Sequence, residues 1–511
     1  MLVQHSFGRS AERLGDKEAL IAGQVRLSYA QLREHARSLA AFLRVRGVLK
    51  GDRVAMYLNN RPEFAAAMLA TLECGAVFVP INPQTKRDKL ARLLQDCEPR
   101  AVFTEWSLLS TLTAVDSNLA GLVCIVCTGT HPSGSQTPLE LAVDFAQARA
   151  SAPDCRPEPS GIDADLAALI YTSGSTGDSK GVMLTHLNMV SAMRSIVEYL
   201  RLRESDVIFC ALPLSFDYGL YQLLLGFEVG ATIVLEPSFA FASQAMDVVA
   251  RERVTVFPGV PTMFSMLSNL RNLSQKDLSN VRLATNTAAA LPERMILEIG
   301  RMFPQAEFYS MYGLTECKRV SYLPPQELGR RPTSIGRGMP NQELWLVDPD
   351  GQRLPPGTTG ELVVRGSHVM RGYWRRPEAT RERLRPGPIE GERVLYTGDI
   401  FRSDEEGFLY FLGRKDDIIK CRGEKVSPRE VENVLSTLPG VLECAVIGVP
   451  DALLGQAVKA LVVCRAGCEY SAKDVIRHCA LALEPHMVPK HVEFFAALPR
   501  SPNGKVNVRG M

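Results

Sequence analysis

Leu166-Ala-Ala-Leu-Ile-Tyr171, running directly into Thr172-Ser-Gly-Ser-Thr-Gly-Asp-Ser-Lys-Gly181, is the stretch from which the fold is read. A short apolar run bounded by Gly, Ser and Thr has the length and flanks of a buried strand. Thr185 then stands where the N-cap of a following helix is expected. Strand, loop and helix in that order place a glycine- and hydroxyl-rich loop at the carboxyl end of a strand, where open α/β sheets bind ligands. Glycines let the backbone approach an anion closely, while the hydroxyls and Lys180 supply donors and charge. The loop is not a Walker A motif, because Lys180 is followed by Gly181 and not by Ser or Thr. A flexible linker has no reason to lie between an apolar strand and a capped helix.

The same pattern extends in both directions. Ser28 to Gln31 fits a capping box that opens a periodic helix to about Arg46. Arg53–Leu58 reads as a strand, a helix runs from Pro62 to Gly75, and Ala76–Pro80 reads as the next strand. That alternation predicts a parallel sheet with right-handed crossovers. Further on, Val281–Thr287 is a strand, Pro292–Phe303 a helix and Ala306–Met311 a strand. Thr285-Asn-Thr-Ala-Ala-Ala290 and Tyr312-Gly-Leu-Thr-Glu316 therefore also sit at carboxyl ends of strands. Three such loops point to one nucleotide pocket.

A boundary is expected near Gly413. Before it lies a Gly/Pro-rich stretch, Leu354 to Gly391, containing the β-like run Gly360-Glu-Leu-Val-Val-Arg-Gly366. After it, Ser427-Pro428-Arg429-Glu430 supplies an N-cap, a proline at the first helical position and a capping-box glutamate. Val431, Val434, Leu435 and Leu438 follow at helical spacing. Strands at Glu443–Val449, Val458–Cys464 and His491–Phe495, with a helix at Ala472–Leu483, complete a small α+β unit of about 100 residues. The expected fold class is α/β. A large N-terminal domain, residues 1–413, carries mostly parallel α/β sheets and a β-rich subdomain, and residues 414–511 form a small C-terminal α+β domain.

Composition bounds the function. A chain of 511 residues is too long for one ordinary core. Apolar residues at 46% and charged residues at 22% place it among soluble globular proteins. The net charge of +2 gives no reason to expect nucleic acid or a membrane surface as partner. The N-terminus has no signal pattern. The longest apolar window, Phe64 to Ile81, is broken by Glu73 and Gly75, so no membrane span is expected. Cys124 and Cys127 form an isolated CxxC inside a strand-like run, which reads as two reduced thiols of a cytoplasmic protein and not as a zinc or redox pair.

Seven motifs together carry a family resemblance. YTSGSTGDSKGV is similar to the phosphate-loop signature of the adenylate-forming superfamily, which includes acyl-CoA synthetases, peptide-synthetase adenylation domains and luciferases. Leu212–Gly219, Thr285–Pro292, Met311–Glu316, Tyr396–Asp399, Gly413–Glu432 and Pro499–Val506 resemble further motifs of that family, in its order. The resemblance implies that Thr172, Ser173, Gly174, Ser175, Thr176, Gly177 and Lys180 cradle the phosphates of ATP. It implies that Ala288, Ala289 and Ala290 line the adenine opposite Tyr312, although this loop lacks the glycine common at its start. Thr315 would bind the α-phosphate and Glu316 would hold Mg²⁺, a hard cation that prefers carboxylate oxygen. Asp399 would accept from the ribose hydroxyls with Arg414 assisting. Lys505 would be the catalytic lysine of a mobile small domain, Asp416 its hinge, and Gly423 part of the pantetheine tunnel.

The resemblance implies that a carboxylic acid becomes an acyl-adenylate with loss of pyrophosphate, and that the acyl group then passes to a thiol. Phe216, Asp217 and Tyr218 lie where the acyl pocket is expected, with Phe257, Val260 and Pro261 shaping it. In amino-acid-activating relatives an aspartate at this place pairs with the substrate ammonium, and a buried carboxylate needs such a cation. An amino acid is therefore one expected substrate. A fatty or aryl acid without an amino group is the alternative, with Asp217 serving its own helix. Tyr218 replaces the small residue of those relatives. The chain stops soon after Lys505, so the thiol is expected from coenzyme A or from the phosphopantetheine of a discrete acyl or peptidyl carrier protein, in an enzyme of secondary metabolism. A nucleotide-binding regulator and a luciferase-like oxidase are the competing classes. The first would bind ATP without turnover, and the second would consume oxygen after adenylation.

Overall fold

A computed structural model describes all residues except 116–120, 132–140, 152–160, 174–178, 288–290, 292, 416, 422–423, 452–453, 466, 469, 501–505 and 507–511. Among the described residues the strands assemble into four sheets. One has the order Arg337–Gly338, Ser321–Leu323, Glu307–Tyr312, Leu283–Asn286, Val256–Gly259, Val207–Cys210, Thr232–Leu235, Glu18–Ala22, Val25–Ser28. It is parallel from Glu307–Tyr312 across to Glu18–Ala22 and antiparallel at both edges. A second sheet runs Gly372–Tyr373, Ser179–Thr185, Leu166–Ser173, Val77–Ile81, Arg53–Tyr57, Pro99–Glu105, Cys124–Thr128, Ala142–Asp144, and is parallel from its third strand onward. The expected strand–helix–strand order at Arg53 to Ile81 is thus a parallel pair. Ser28 caps Tyr29–Val45 through a complete capping box with Gln31.

Tyr29–Val45, Pro62–Glu73, His186–Leu200 and Asp217–Val229 bury their apolar faces in the main core shared by these two sheets. A second apolar cluster covers the other face of the second sheet. Cys124 faces the first cluster and Cys127 the second, as residues three apart on a strand must. Both are buried free thiols, and their opposite directions exclude a shared metal or a disulfide between them.

One expectation is corrected. The segment after the glycine-rich loop is not simply a lead into the helix. Ser179–Thr185 returns as a strand antiparallel to Leu166–Ser173, pairing Tyr171 with Gly181 and Thr172 with Lys180. The loop therefore joins the two strands of a hairpin, and Thr185 caps the helix His186–Leu200 at the far end of the returning strand. The apolar run Val182 to Leu184 is too short to announce a strand by periodicity. Gly181 lets this hairpin pack closely, since a Cβ would stand 3.1 Å from the Tyr171 ring and 3.3 Å from Trp374.

The amino ends of the parallel strands are clamped by Asp206. This buried carboxylate accepts from Arg282 Nε at 2.8 Å, from the Thr255 hydroxyl at 2.9 Å and from the Arg203 N–H at 2.9 Å. The opposite, carboxyl ends are left for loops.

The third sheet is antiparallel, Gln342–Val347, Thr359–Gly366, Arg393–Ser403, Leu384–Pro386, with Leu409–Arg414 also paired to Arg393–Ser403. Beyond it in sequence Ile419, Val431, Leu435, Val458, Val475 and Cys479 form a separate apolar cluster over the fourth sheet. Ser427 caps Pro428–Thr437 by accepting from the Glu430 N–H, but the expected return bond from the Glu430 side chain is absent among the described residues. The Ser427 hydroxyl donates to the Leu412 carbonyl. No helix among the described residues is long and apolar enough to cross a membrane.

Two histidines are buried in neutral form. His186 accepts the Val3 N–H at 3.1 Å, and burial lowers its pKa to about 4. His368, fully buried after the strand Thr359–Gly366, is also lowered to about 4 by burial. Their depressed values mean that the unfolded chain binds protons below pH 6.5 that the fold refuses. Their contribution is complete above about pH 6.5 and is lost as pH falls towards 4. We expect His368→Leu to narrow the gap between urea unfolding midpoints at about pH 7 and about pH 5, relative to the parent chain. An unchanged gap would show that His368 does not stay neutral.

Candidate functional site

Strands from three sheets meet around two carboxylates. Tyr312, last residue of its strand, donates its hydroxyl to Asp399. Asp399 lies in Arg393–Ser403, and Arg414 is its register partner on the adjacent strand. Arg414 Nε lies 2.8 Å from Asp399 Oδ1. That contact is not aligned as a hydrogen bond, so Oδ1 still lacks a donor. Burial raises the pKa of Asp399, opposed by the Arg414 charge and the Tyr312 bond. A buried acceptor with spare capacity is suited to a hydroxyl of a ligand. The Tyr312 ring packs against Phe401 at 5.0 Å and Phe411 at 6.3 Å between centroids.

Glu316 closes the turn after Tyr312. Its Oε1 accepts the Tyr373 hydroxyl at 2.7 Å, and its backbone carbonyl accepts the Met370 N–H at 2.7 Å. Among the described residues its other oxygen accepts no hydrogen bond. Thr315 sits on the same turn, partly buried. This turn admits only glycine at 313, where a Cβ would lie 1.9 Å from the Lys318 carbonyl oxygen. Lys180 Nζ lies 5.5 Å from the Tyr373 ring centroid. Lys180, Tyr373 and Glu316 thus form a connected line from the hairpin to the turn.

Tyr373 is the residue that sequence reasoning missed. It pairs with Val182 through the short strand Gly372–Tyr373, and the Trp374 N–H donates to the Gly181 carbonyl at 2.7 Å. Asp96 fastens the other side: its carboxylate accepts the Tyr171 hydroxyl at 2.6 Å and faces Arg376 at 3.2 Å, while its carbonyl accepts from Trp374 Nε1 at 3.0 Å. The signal was Arg371-Gly-Tyr-Trp374, two aromatics following a glycine inside a stretch that otherwise reads as a connector.

Other expected residues are placed as follows. The Thr172 hydroxyl lies 3.5 Å from the Lys180 carbonyl oxygen across the hairpin. Ser173 ends its strand. Gly174, Ser175, Thr176, Gly177, Ala288, Ala289, Ala290, Asp416, Gly423 and Lys505 lie outside the described residues. Phe216 is the N-cap of Asp217–Val229 and Asp217 its first residue, where a carboxylate complements the helix dipole. Tyr218 is buried and bonds Thr285. Val260 is the N-cap of Pro261–Ser268. Two expectations change. Phe257 is fully buried among Phe209, Phe239, Phe264 and Phe303, so it is core and not pocket wall. Asp217 Oδ2 faces Arg319 Nη1 at 3.7 Å, so its cationic partner is supplied by the protein.

Among the described residues no group of three or more His, Cys, Asp or Glu side chains is arranged to hold a metal. Glu316, whose second oxygen accepts no hydrogen bond among the described residues, would suit a hard cation such as Mg²⁺.

Residues 7–374 match the AMP-binding enzyme family and residues 430–505 the AMP-binding enzyme C-terminal domain. A long-chain-fatty-acid–CoA ligase of Escherichia coli O6:H1 is 32% identical, covering 98% of this chain and 92% of that protein. An indoleacetate–CoA ligase of Aromatoleum aromaticum is 33% identical, covering 94% of this chain and 91% of that protein. The crystal structure of the anthranilate CoA ligase AuaEII in complex with anthranoyl-AMP superposes with a TM-score of 0.89 at 28% identity, over 99% of this chain and 95% of that one. With the hairpin, the turn and the paired carboxylates all lying inside the matched regions or on the strands joining them, the chain belongs to the AMP-binding enzyme family.

Proposed function

We propose that the protein is an AMP-forming acid–thiol ligase whose nucleotide lies across the carboxylates of Asp399 and Glu316. In the first half-reaction the substrate carboxylate oxygen attacks the α-phosphorus of ATP, the bond to the bridging oxygen breaks, and pyrophosphate leaves. In the second, a thiol displaces AMP from the acyl carbon. The observation that carries this reading is the convergence of the Tyr312–Asp399–Arg414 and Lys180–Tyr373–Glu316 groups on the turn that runs from Tyr312 to Glu316.

Each residue has a role that follows from its chemistry. Asp399 accepts the ribose hydroxyls through the oxygen that lacks an aligned donor, and the Arg414 charge opposes the rise in its pKa that burial causes. Lys180 and the hydroxyls at Thr172, Ser173, Ser175 and Thr176 meet the phosphates, with Gly174 and Gly177 allowing close approach. Tyr312 flanks the adenine together with Ala288, Ala289 and Ala290. Thr315 donates to the α-phosphate. Glu316 holds Mg²⁺, which when bound neutralises charge on the triphosphate. Tyr373 fixes the Glu316 carboxylate by its hydrogen bond. Lys505 supplies a cation between the substrate carboxylate and the α-phosphate, stabilising charge that builds during attack.

Residues 1–413 and 414–511 are proposed as two domains. The separate apolar cluster that begins at Ile419 supports the division. Asp416 would be the hinge between two poses, one for adenylation and one in which Gly423 lines the thiol channel. Coenzyme A is the proposed acceptor over a carrier protein, because the relatives matched over nearly their full length are CoA ligases.

The first test is carboxylate-dependent exchange of pyrophosphate into ATP. We expect Lys505→Ala to abolish exchange while leaving thioester formation from supplied acyl-adenylate largely intact, and full exchange in that variant would remove the lysine from the mechanism. The ribose assignment has its own measure. Replacing ATP by 2′-deoxy-ATP is expected to lower kcat/KM by about tenfold or more, the worth of a hydrogen bond to a charged group. Asp399→Asn should shrink that ratio several-fold; a ratio equal to that of the parent chain would place the ribose elsewhere.

A further inference from the structure

The helix Pro377–Arg383 packs against the short strand Gly372–Tyr373 and against Arg393–Ser403, the strand that carries Asp399. Thr380 fixes that approach, accepting the Tyr373 N–H at 2.9 Å and donating to the Arg376 carbonyl at 2.8 Å. The helix ends on Arg383, which is half-buried and whose guanidinium lies over Gly398. Gly398 has φ +72°, in the left-handed region. A Cβ there would collide with Arg383 Nη1 and stand 3.0 Å from Arg383 Cζ. The guanidinium thus fills the space that a side chain at 398 would take, next in sequence to Asp399.

The carboxylates around this turn have partners of their own. Asp399 faces Arg414 and accepts from Tyr312. Glu361 faces Lys415 Nζ at 3.0 Å and accepts the Gly398 N–H at 3.0 Å. Glu316 accepts from Tyr373. Arg383 pairs with none of them. It donates to the Tyr396 carbonyl at 3.4 Å, and among the described residues no carboxylate lies within ion-pair distance of it. A half-buried guanidinium left without an acid keeps its full charge for the groups around it. Asp399 is the carboxylate that feels it. Burial raises the Asp399 pKa; Arg414, the Tyr312 bond and Arg383 oppose the rise, and Glu316 adds to it. The ionised form matters here, because a protonated carboxyl spends acceptor capacity on its own proton. Arg414 cannot serve that need by a hydrogen bond, since its contact with Oδ1 is not aligned as one.

We propose that Arg383 is a positioning residue for the nucleotide, acting through Asp399: from its seat over Gly398 its charge holds Asp399 as the carboxylate that receives the ribose hydroxyls. This rests on the adenylation reading above and extends its ribose subsite to a helix outside the strands that form it. Arg383 acts through space and touches no reacting atom. Its placement also gives Gly398 a second reason to lack a side chain, beyond the positive φ.

The test is the binding of ATP and of 2′-deoxy-ATP, each with Mg²⁺ and without any acid, to the full chain. The quantity read is the ratio of the two Kd values, which cancels any loss of folded protein within one preparation. Parent, Arg383→Lys, Arg383→Met and Asp399→Asn chains are compared at about pH 6 and about pH 8, on the acid and alkaline sides of neutrality. Removing a neighbouring cation lets burial raise the Asp399 pKa further, so its carboxylate is lost first on the acid side. Arg383→Met is therefore expected to lower the ratio by roughly fivefold at about pH 6 and by less at about pH 8, the difference between a charged and a neutral acceptor. Arg383→Lys, which keeps the charge, should retain most of the parent ratio. An Arg383→Met ratio equal to the parent's at both pH values would overturn this inference and leave the ribose assignment standing, provided Asp399→Asn lowers the ratio. A fall of equal size at both pH values, or one that Arg383→Lys shares, would assign Arg383 to packing alone and also overturn it. A parent ratio near one, or an Asp399→Asn ratio equal to the parent's, would instead remove the ribose assignment and this inference with it.

Discussion

Two tyrosine hydroxyls donating to two carboxylates hold the site together. Tyr312 to Asp399 joins the largest parallel sheet to the antiparallel one, and Tyr373 to Glu316 joins the largest sheet to the hairpin sheet. No single sheet carries all of these groups. Each of the three contributes one or two polar side chains. Short hydrogen-bonded bridges between them turn three separate loop sets into one surface. Because an acceptor already bonded on one side presents its remaining lone pairs in a fixed direction, the bridges also orient the carboxylates for a ligand.

Clamping at the opposite end makes this arrangement possible. Asp206 gathers Arg282, Thr255 and the Arg203 N–H at the amino ends of the parallel strands, so strand register is set away from the chemistry. Asp96 does the equivalent for the hairpin stem, holding Tyr171, Trp374 and Arg376 together. The two strands that flank the glycine-rich sequence are thus fixed by packing and hydrogen bonds of their own.

Parallel strands at Arg53–Tyr57, Val77–Ile81, Leu283–Asn286 and Glu307–Tyr312 were legible because each is an apolar run next to a capped or periodic helix. The loops at their ends could be placed from those strands alone. Ser179–Thr185 was not legible as a strand, since three apolar residues beside a helix cap carry too little periodicity. Tyr373 was hidden for a related reason: its partner Glu316 is distant in sequence, and a Gly-flanked aromatic in a Pro-rich stretch reads as a turn. Phe257 was read as pocket wall because local sequence does not distinguish a ring facing a cavity from one facing other rings. Asp217 was the subtler case. Its need for a cation was legible, but the cation came from Arg319, far along the chain, and no pattern of spacing reports that pairing.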